Sequence, residues 1–147
     1  MSMPWPAHLA VGAVRFARPT AHYDDVLVFY RDVVGLPVLA EWRDHSGYDG
    51  AVFGLPGNRV HMELLQRGDR PRIPEPDPEN QLVLYLRGAA AVAEVSRRIS
   101  KFGHEPVSAA NPYWTDNGAV LFEDPDGWLV VLAPWVFGEE DEPSGAG

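Results

Sequence analysis

The sequence predicts an α+β fold in which two tandem β-α-β-β-β modules form a curled, cleft-enclosing, eight-stranded mixed sheet. Two observations carry that reading. Apolar residues recur with period two in several short runs and with helical spacing in two longer ones. The same order of runs also appears twice, either side of a proline-rich stretch, with Gly35-Leu36-Pro37-Val38 echoed by Gly103-His104-Glu105-Pro106-Val107. The boundaries follow: an N-terminal extension over 1–10, a first module over 11–67, a linker over 68–79, a second module over 80–136 and an acidic, disordered tail over 137–147.

The first run, Val11 to Arg18, alternates: Val14 and Phe16 take one face, Ala13, Arg15 and Ala17 the other. Pro19-Thr20 ends it. Thr20 is a candidate helix cap with Asp24 and Asp25 in the first turn, where the helix dipole favours acids. Tyr23, Leu27, Tyr30 and Val34 then follow at helical spacing, and Gly35 stops the helix. LPVLAEWRD, GAVFGL and RVHMELLQ read as three strands parted by glycine-rich turns. Arg67 to Asn80, with four prolines, is the linker. In the second module QLVLYLR is a strand, AAAVAEVSRRISKFG a helix with Val92, Val95, Ile99 and Phe102 on one stripe, and EPVSAA, GAVLFE and WLVVLAPW three strands. Asp124-Pro125-Asp126-Gly127 turns the last hairpin, and Tyr113 and Trp114 stand in the loop before it.

Composition narrows the function. Net charge is −9, and the basic residues are scattered, so no nucleic-acid face is expected. No apolar run approaches the roughly 18 residues that cross a bilayer, and the N-terminus lacks the pattern of a signal peptide. There are no cysteines, which excludes disulfides and thiolate chemistry and makes the cytoplasm the default compartment. An acidic body favours neutral or cationic ligands.

FYRDVVGLPVL and HMELLQ in the first half, with NPYW…G…FEDPDGWLVVL in the second, resemble the vicinal oxygen chelate superfamily: glyoxalase I, extradiol dioxygenases and the bleomycin-resistance binding proteins. The resemblance implies, for metal-dependent members, a ligand on the first strand of each half and a glutamate on the last strand of each half. The ion would hold both vicinal oxygens of a substrate. Carried onto this sequence, the first-strand place falls among Ala13, Arg15 and Ala17, none of them a ligand. Glu63 matches the first carboxylate, with His61 beside it on the same face, Gln81 stands at the third place, and Val131 replaces the second carboxylate.

Strand parity therefore places Arg15, Glu63, Gln81, Tyr85, Trp114 and Val131 around one cavity, and an inward Arg15 needs Glu63 as its partner. Trp42, Tyr48 and Tyr113 are further candidate ligand-binding residues, and His45 lies in a connection that can reach the same cleft. Three readings stay open. One is a binding protein that takes a small planar or amphipathic molecule in an aromatic cleft with a degenerate metal site and no cofactor. Another is a lyase, isomerase or dioxygenase holding Zn, Ni, Mn or Fe through Glu63, Gln81 and His61. The third is a metal-free enzyme in which Glu63 or His61 acts as general base. Uncovered sheet edges predict a homodimer.

Overall fold

The computed structural model describes residues 2–57, 59–69 and 72–144. The strands of the first half, β1 (Val14–Pro19), β2 (Val38–His45), β3 (Tyr48–Gly54) and β4 (Val60–Arg67), form one sheet in the order β1-β4-β3-β2. β1 runs parallel to β4 and the other neighbours are antiparallel. In the second half β5 (Gln81–Tyr85), β6 (Val120–Glu123) and β7 (Leu129–Ala133) form a second sheet in the order β5-β7-β6. The duplication is as the sequence predicts, but the strands form two separate sheets of four and three and do not close into one. EPVSAA is the strand that fails to form. Only Val107 pairs, making a single bridge to Leu121, and the chain then leaves the sheet edge.

Helix α1 (Tyr23–Val28) continues into a wider π-type turn over Phe29–Val34, and Gly35 closes it in the left-handed region at φ 90°. The amides of Gly35 and Leu36 both donate to the Tyr30 carbonyl, at 3.0 and 2.8 Å. Thr20 does not cap through the helix itself. Its hydroxyl accepts from the amide of His22, the residue that precedes the helix. Helix α2 (Ala89–Ser100) buries Val92 and Ile99, while Phe102, beyond its end, is exposed.

Tyr23, Val26, Phe29, Tyr30 and Val33 from the first helical segment, with Val92 and Ile99 from α2, form one core with Phe53, Met62 and Leu64 of the first sheet and Phe122, Val130 and Leu132 of the second. The helical faces of both sheets thus share a single apolar interior, whose burial supplies the main drive for folding. β1 lies at the sheet edge beyond the reach of α1, so Val14 and Phe16 remain 51% and 37% exposed although parity assigns them to the helical side. No helix among the described residues is long and apolar enough to cross a membrane.

Candidate functional site

Register fixes which side chains share the non-helical face of the first sheet. Arg15 stands beside His61, Ala17 beside Glu63, and Glu63 beside Val52, while Leu65 faces Gly50 and Gly50 faces Trp42. Arg15 Nη1 lies 3.6 Å from Glu63 Oε2, so the two residues are brought together as parity requires. The setting differs from the expectation. The Arg15 side chain is half exposed, because β1 is an edge strand. Trp42 lies flat on Gly50, where any Cβ would collide with its ring. Tyr48 pairs with Arg67 at the far end, and these two, with Ala17, Leu65 and the linker residue Ile73, border a cavity of about 410 Å³. His45 is exposed at the tip of the β2–β3 hairpin, opposite Tyr48.

On the second sheet Gln81, Val83 and Tyr85 share a face with Leu129, Val131 and Ala133. A third helix, α3 (Pro112–Asp116), covers part of it. The sequence analysis places these residues in a loop, although Asn111-Pro112 is a helix-start signal: the Asn111 side chain accepts from the Tyr113 amide at 3.0 Å and Pro112 occupies the first turn. The helix lays Trp114 on Trp135, with ring centroids 5.9 Å apart and planes within 16°. Tyr113 packs edge-on against both, and Tyr85 borders Trp135 at 6.4 Å. Trp114, Trp135 and Tyr113, together with Leu121, Leu129, Val131 and Ala133, form a second apolar core.

The six residues expected around one cavity therefore fall into two groups. Arg15 and Glu63 lie on the first sheet; Gln81, Tyr85 and Val131 lie on the second, with Trp114 on α3 over it. Because both sheets turn their helical faces to the shared core, their other faces look away from it and cannot meet within one chain. Val131 is completely buried and reaches no open cleft.

The most buried charge belongs to a residue that sequence reasoning passed over. Arg18, three positions after Arg15 and on the opposite face, is 1% exposed. Its Nη1 donates to Asp124 Oδ2 at 2.7 Å and its Nη2 to Asp126. The guanidinium lies 4.8 Å from the centre of the Trp128 ring. The Tyr30 hydroxyl donates to the same Asp124 oxygen at 2.7 Å, while Asp124 Oδ1 accepts from the amides of Asp126 and Trp128. His22 Nδ1 pairs with Asp126 Oδ1 at 2.8 Å. Burial pushes the Asp124 carboxyl above its ordinary range, opposed by Arg18, Tyr30 and the two amides. Burial, and then the charge of Asp124, push the Tyr30 hydroxyl well up. The cluster joins the end of β1 to the turn of the last hairpin, tying one half of the chain to the other.

The duplicated plan, one helix against a small mixed sheet in each half, is that of the vicinal oxygen chelate superfamily, and solved structures of that superfamily superpose on this chain. A YycE protein from Bacillus subtilis is 33% identical, with a TM-score of 0.80 over 90% of this chain and 98% of its own. The antibiotic binding protein TnmS3 from Streptomyces sp. CB03234 matches at 22% identity and TM-score 0.62 over 86% of this chain and 98% of its own. Residues 14–65 match the YycE-like N-terminal domain and residues 79–134 the YycE-like C-terminal domain. Protein YycE of Bacillus subtilis (strain 168) is 39% identical over 119 residues, which span 81% of this chain and 85% of that protein. The chain belongs to the YycE-like family.

The superfamily's metal-dependent members imply a divalent metal, and the residues of one chain do not fit it. Among the described residues no three histidine, aspartate or glutamate side chains converge as ligands. Glu63 is answered by a guanidinium, and the second carboxylate place is an apolar side chain sealed under tryptophan.

Proposed function

We propose that this protein binds a small planar or amphipathic molecule, without a metal, on the non-helical face of its first sheet. The contact between Arg15 and Glu63 carries the reading: a cation already stands beside the one carboxylate that matches the superfamily's ligand pattern. Trp42, held flat by Gly50, and Tyr48, beside the 410 Å³ cavity, supply ring faces on which a planar molecule can stack. An antibiotic binding protein shares this fold, which lends the fold, though not the ligand, to the proposal.

We propose further that two copies pair along the β1 edge of this sheet. β1 is an unpaired edge that exposes Val14 and Phe16, and such edges are commonly paired or covered. A two-fold homodimer supplies that cover. Light scattering at micromolar concentration reads the assembly, and a monomer rejects it.

The experiment for the binding reading is elemental analysis of protein purified without chelator, repeated after adding Ni²⁺, Zn²⁺, Mn²⁺ or Fe²⁺. Less than one tightly held ion per chain is expected. Stoichiometric metal whose removal abolishes an activity overturns the reading in favour of a metal-dependent lyase, isomerase or dioxygenase.

A further inference from the structure

A further cavity lies away from the first sheet's face. It has a volume of about 560 Å³ and opens between the proline linker and the end of the second sheet. That size falls within the range of small-molecule sites. Its origin is the strand that does not form. After the single Val107–Leu121 bridge, residues 108–110 peel away from β6, and the space they leave is bordered by the linker residues Glu75, Pro76 and Pro78. Pro76 rests against Gly127 of the hairpin turn: a Cβ there would come 3.4 Å from the proline ring, so the linker is seated on the turn.

The walls divide by chemistry. Leu129, Ala109, Pro76 and Pro78 give an apolar surface. Glu75, Glu123 and Asp126 give carboxylates, and no lysine, arginine or histidine lines the cavity. Asp126 already serves Arg18 and His22. Glu75 and Glu123 are exposed, and no described basic side chain pairs with either. Glu123 stands directly beside Leu129 across the β6–β7 pair, so apolar floor and negative rim are adjacent.

We infer that this cavity is a second binding site, for an organic cation with a flat apolar body: an aromatic or alicyclic amine whose ring rests on Leu129 and the prolines while its ammonium meets Glu75 and Glu123. An anion of the same shape is repelled by both carboxylates and by the protein's net charge of −9. The site uses none of the residues assigned to the first sheet's face, so either proposal can fail alone.

The test is calorimetric titration of the full chain with 9-aminoacridinium, and with acridine-9-carboxylate as the same ring carrying the opposite charge. One saturable 9-aminoacridinium site per chain is expected, weakening as salt shortens the range of the carboxylate field. Glu75→Gln and Glu123→Gln each weaken it about fivefold to tenfold. Ala110→Trp, at an exposed lining position, fills the space and abolishes binding without changing the melting temperature. Glu94→Gln, on the outer face of α2, removes the same net charge and leaves affinity unaltered. The inference is overturned if no saturable binding occurs, if the two acridines bind equally, if Glu94→Gln weakens binding as much as Glu75→Gln, or if Ala110→Trp leaves binding intact.

Discussion

Replacing Asp124 by asparagine tests whether the Arg18 cluster is what holds the two halves together. The change keeps the size and the acceptor that serves the Asp126 and Trp128 amides, but removes the charge facing Arg18. Both side chains are essentially inaccessible, at 1% and 0%, so water cannot replace the lost partner. Breaking one side of a buried ion pair costs about 3–5 kcal/mol. Asp126 still holds the other end of the guanidinium, which places the expected loss at the lower limit, about 3 kcal/mol. For a chain of this size that corresponds to a fall of about 6–12 °C in melting temperature. Differential scanning calorimetry reads it. Arg18→Met and the double variant complete a cycle, in which the pair should show a coupling of at least about 1 kcal/mol, since contacting residues are non-additive. A melting temperature within about 2 °C of the parent, or strictly additive single effects, would refute the argument that this pair latches the halves.

Four further outcomes follow from the same geometry. Glu63→Gln should cost less than about 1 kcal/mol by urea denaturation, because Arg15 is half exposed and loses only a screened contact; a loss of several kcal/mol would mean that the face is covered. Val131→Glu should unfold the protein or lower its melting temperature severely, since the carboxylate would be buried among Trp114, Trp135 and Leu121 with no cation, and it should confer no Zn²⁺ binding by calorimetry. Gly50→Ala should lift the Trp42 ring from the sheet and shift its fluorescence toward that of solvent-exposed indole; an unchanged spectrum would contradict the packing. Burial pushes the Tyr23 hydroxyl up to about 12 while it donates to the Gly50 carbonyl at 2.8 Å. A folded-state value above the ordinary 10.0 means that the unfolded chain loses its proton first, so stability is complete below pH 10 and is lost as pH rises toward about 12. Tyr23→Phe should flatten that loss in alkaline denaturation.

Much of the fold is legible in the chain because periodicity is a local property. Met62, Leu64, Val130 and Leu132 face the helices as their alternation requires, and Tyr23, Leu27, Tyr30 and Val34 are all buried along one stripe. The meeting of Arg15 with Glu63 also follows from parity, since β1 and β4 are neighbours and the two side chains share a face. Parity says which face a residue takes, but not whether anything covers that face. Val14 and Phe16 sit on the expected side and remain exposed because α1 does not extend over the sheet edge.

The sequence by itself determined the duplication, the stripe of the first helix and the turn at Asp124–Gly127. Only the tertiary structure decided that the helices lie between the sheets, which separates Val131 and Trp114 from Arg15 and Glu63. It also decided that Arg18, not Arg15, is the buried cation, because its partners lie 106 and 108 residues away in a turn whose aspartates look, in sequence, like turn residues alone. The physical reason is range. Alternation and capping act over a few residues and are written in the chain, whereas the desolvation of a charge depends on which distant segment is packed over it, and that is settled only when the halves meet.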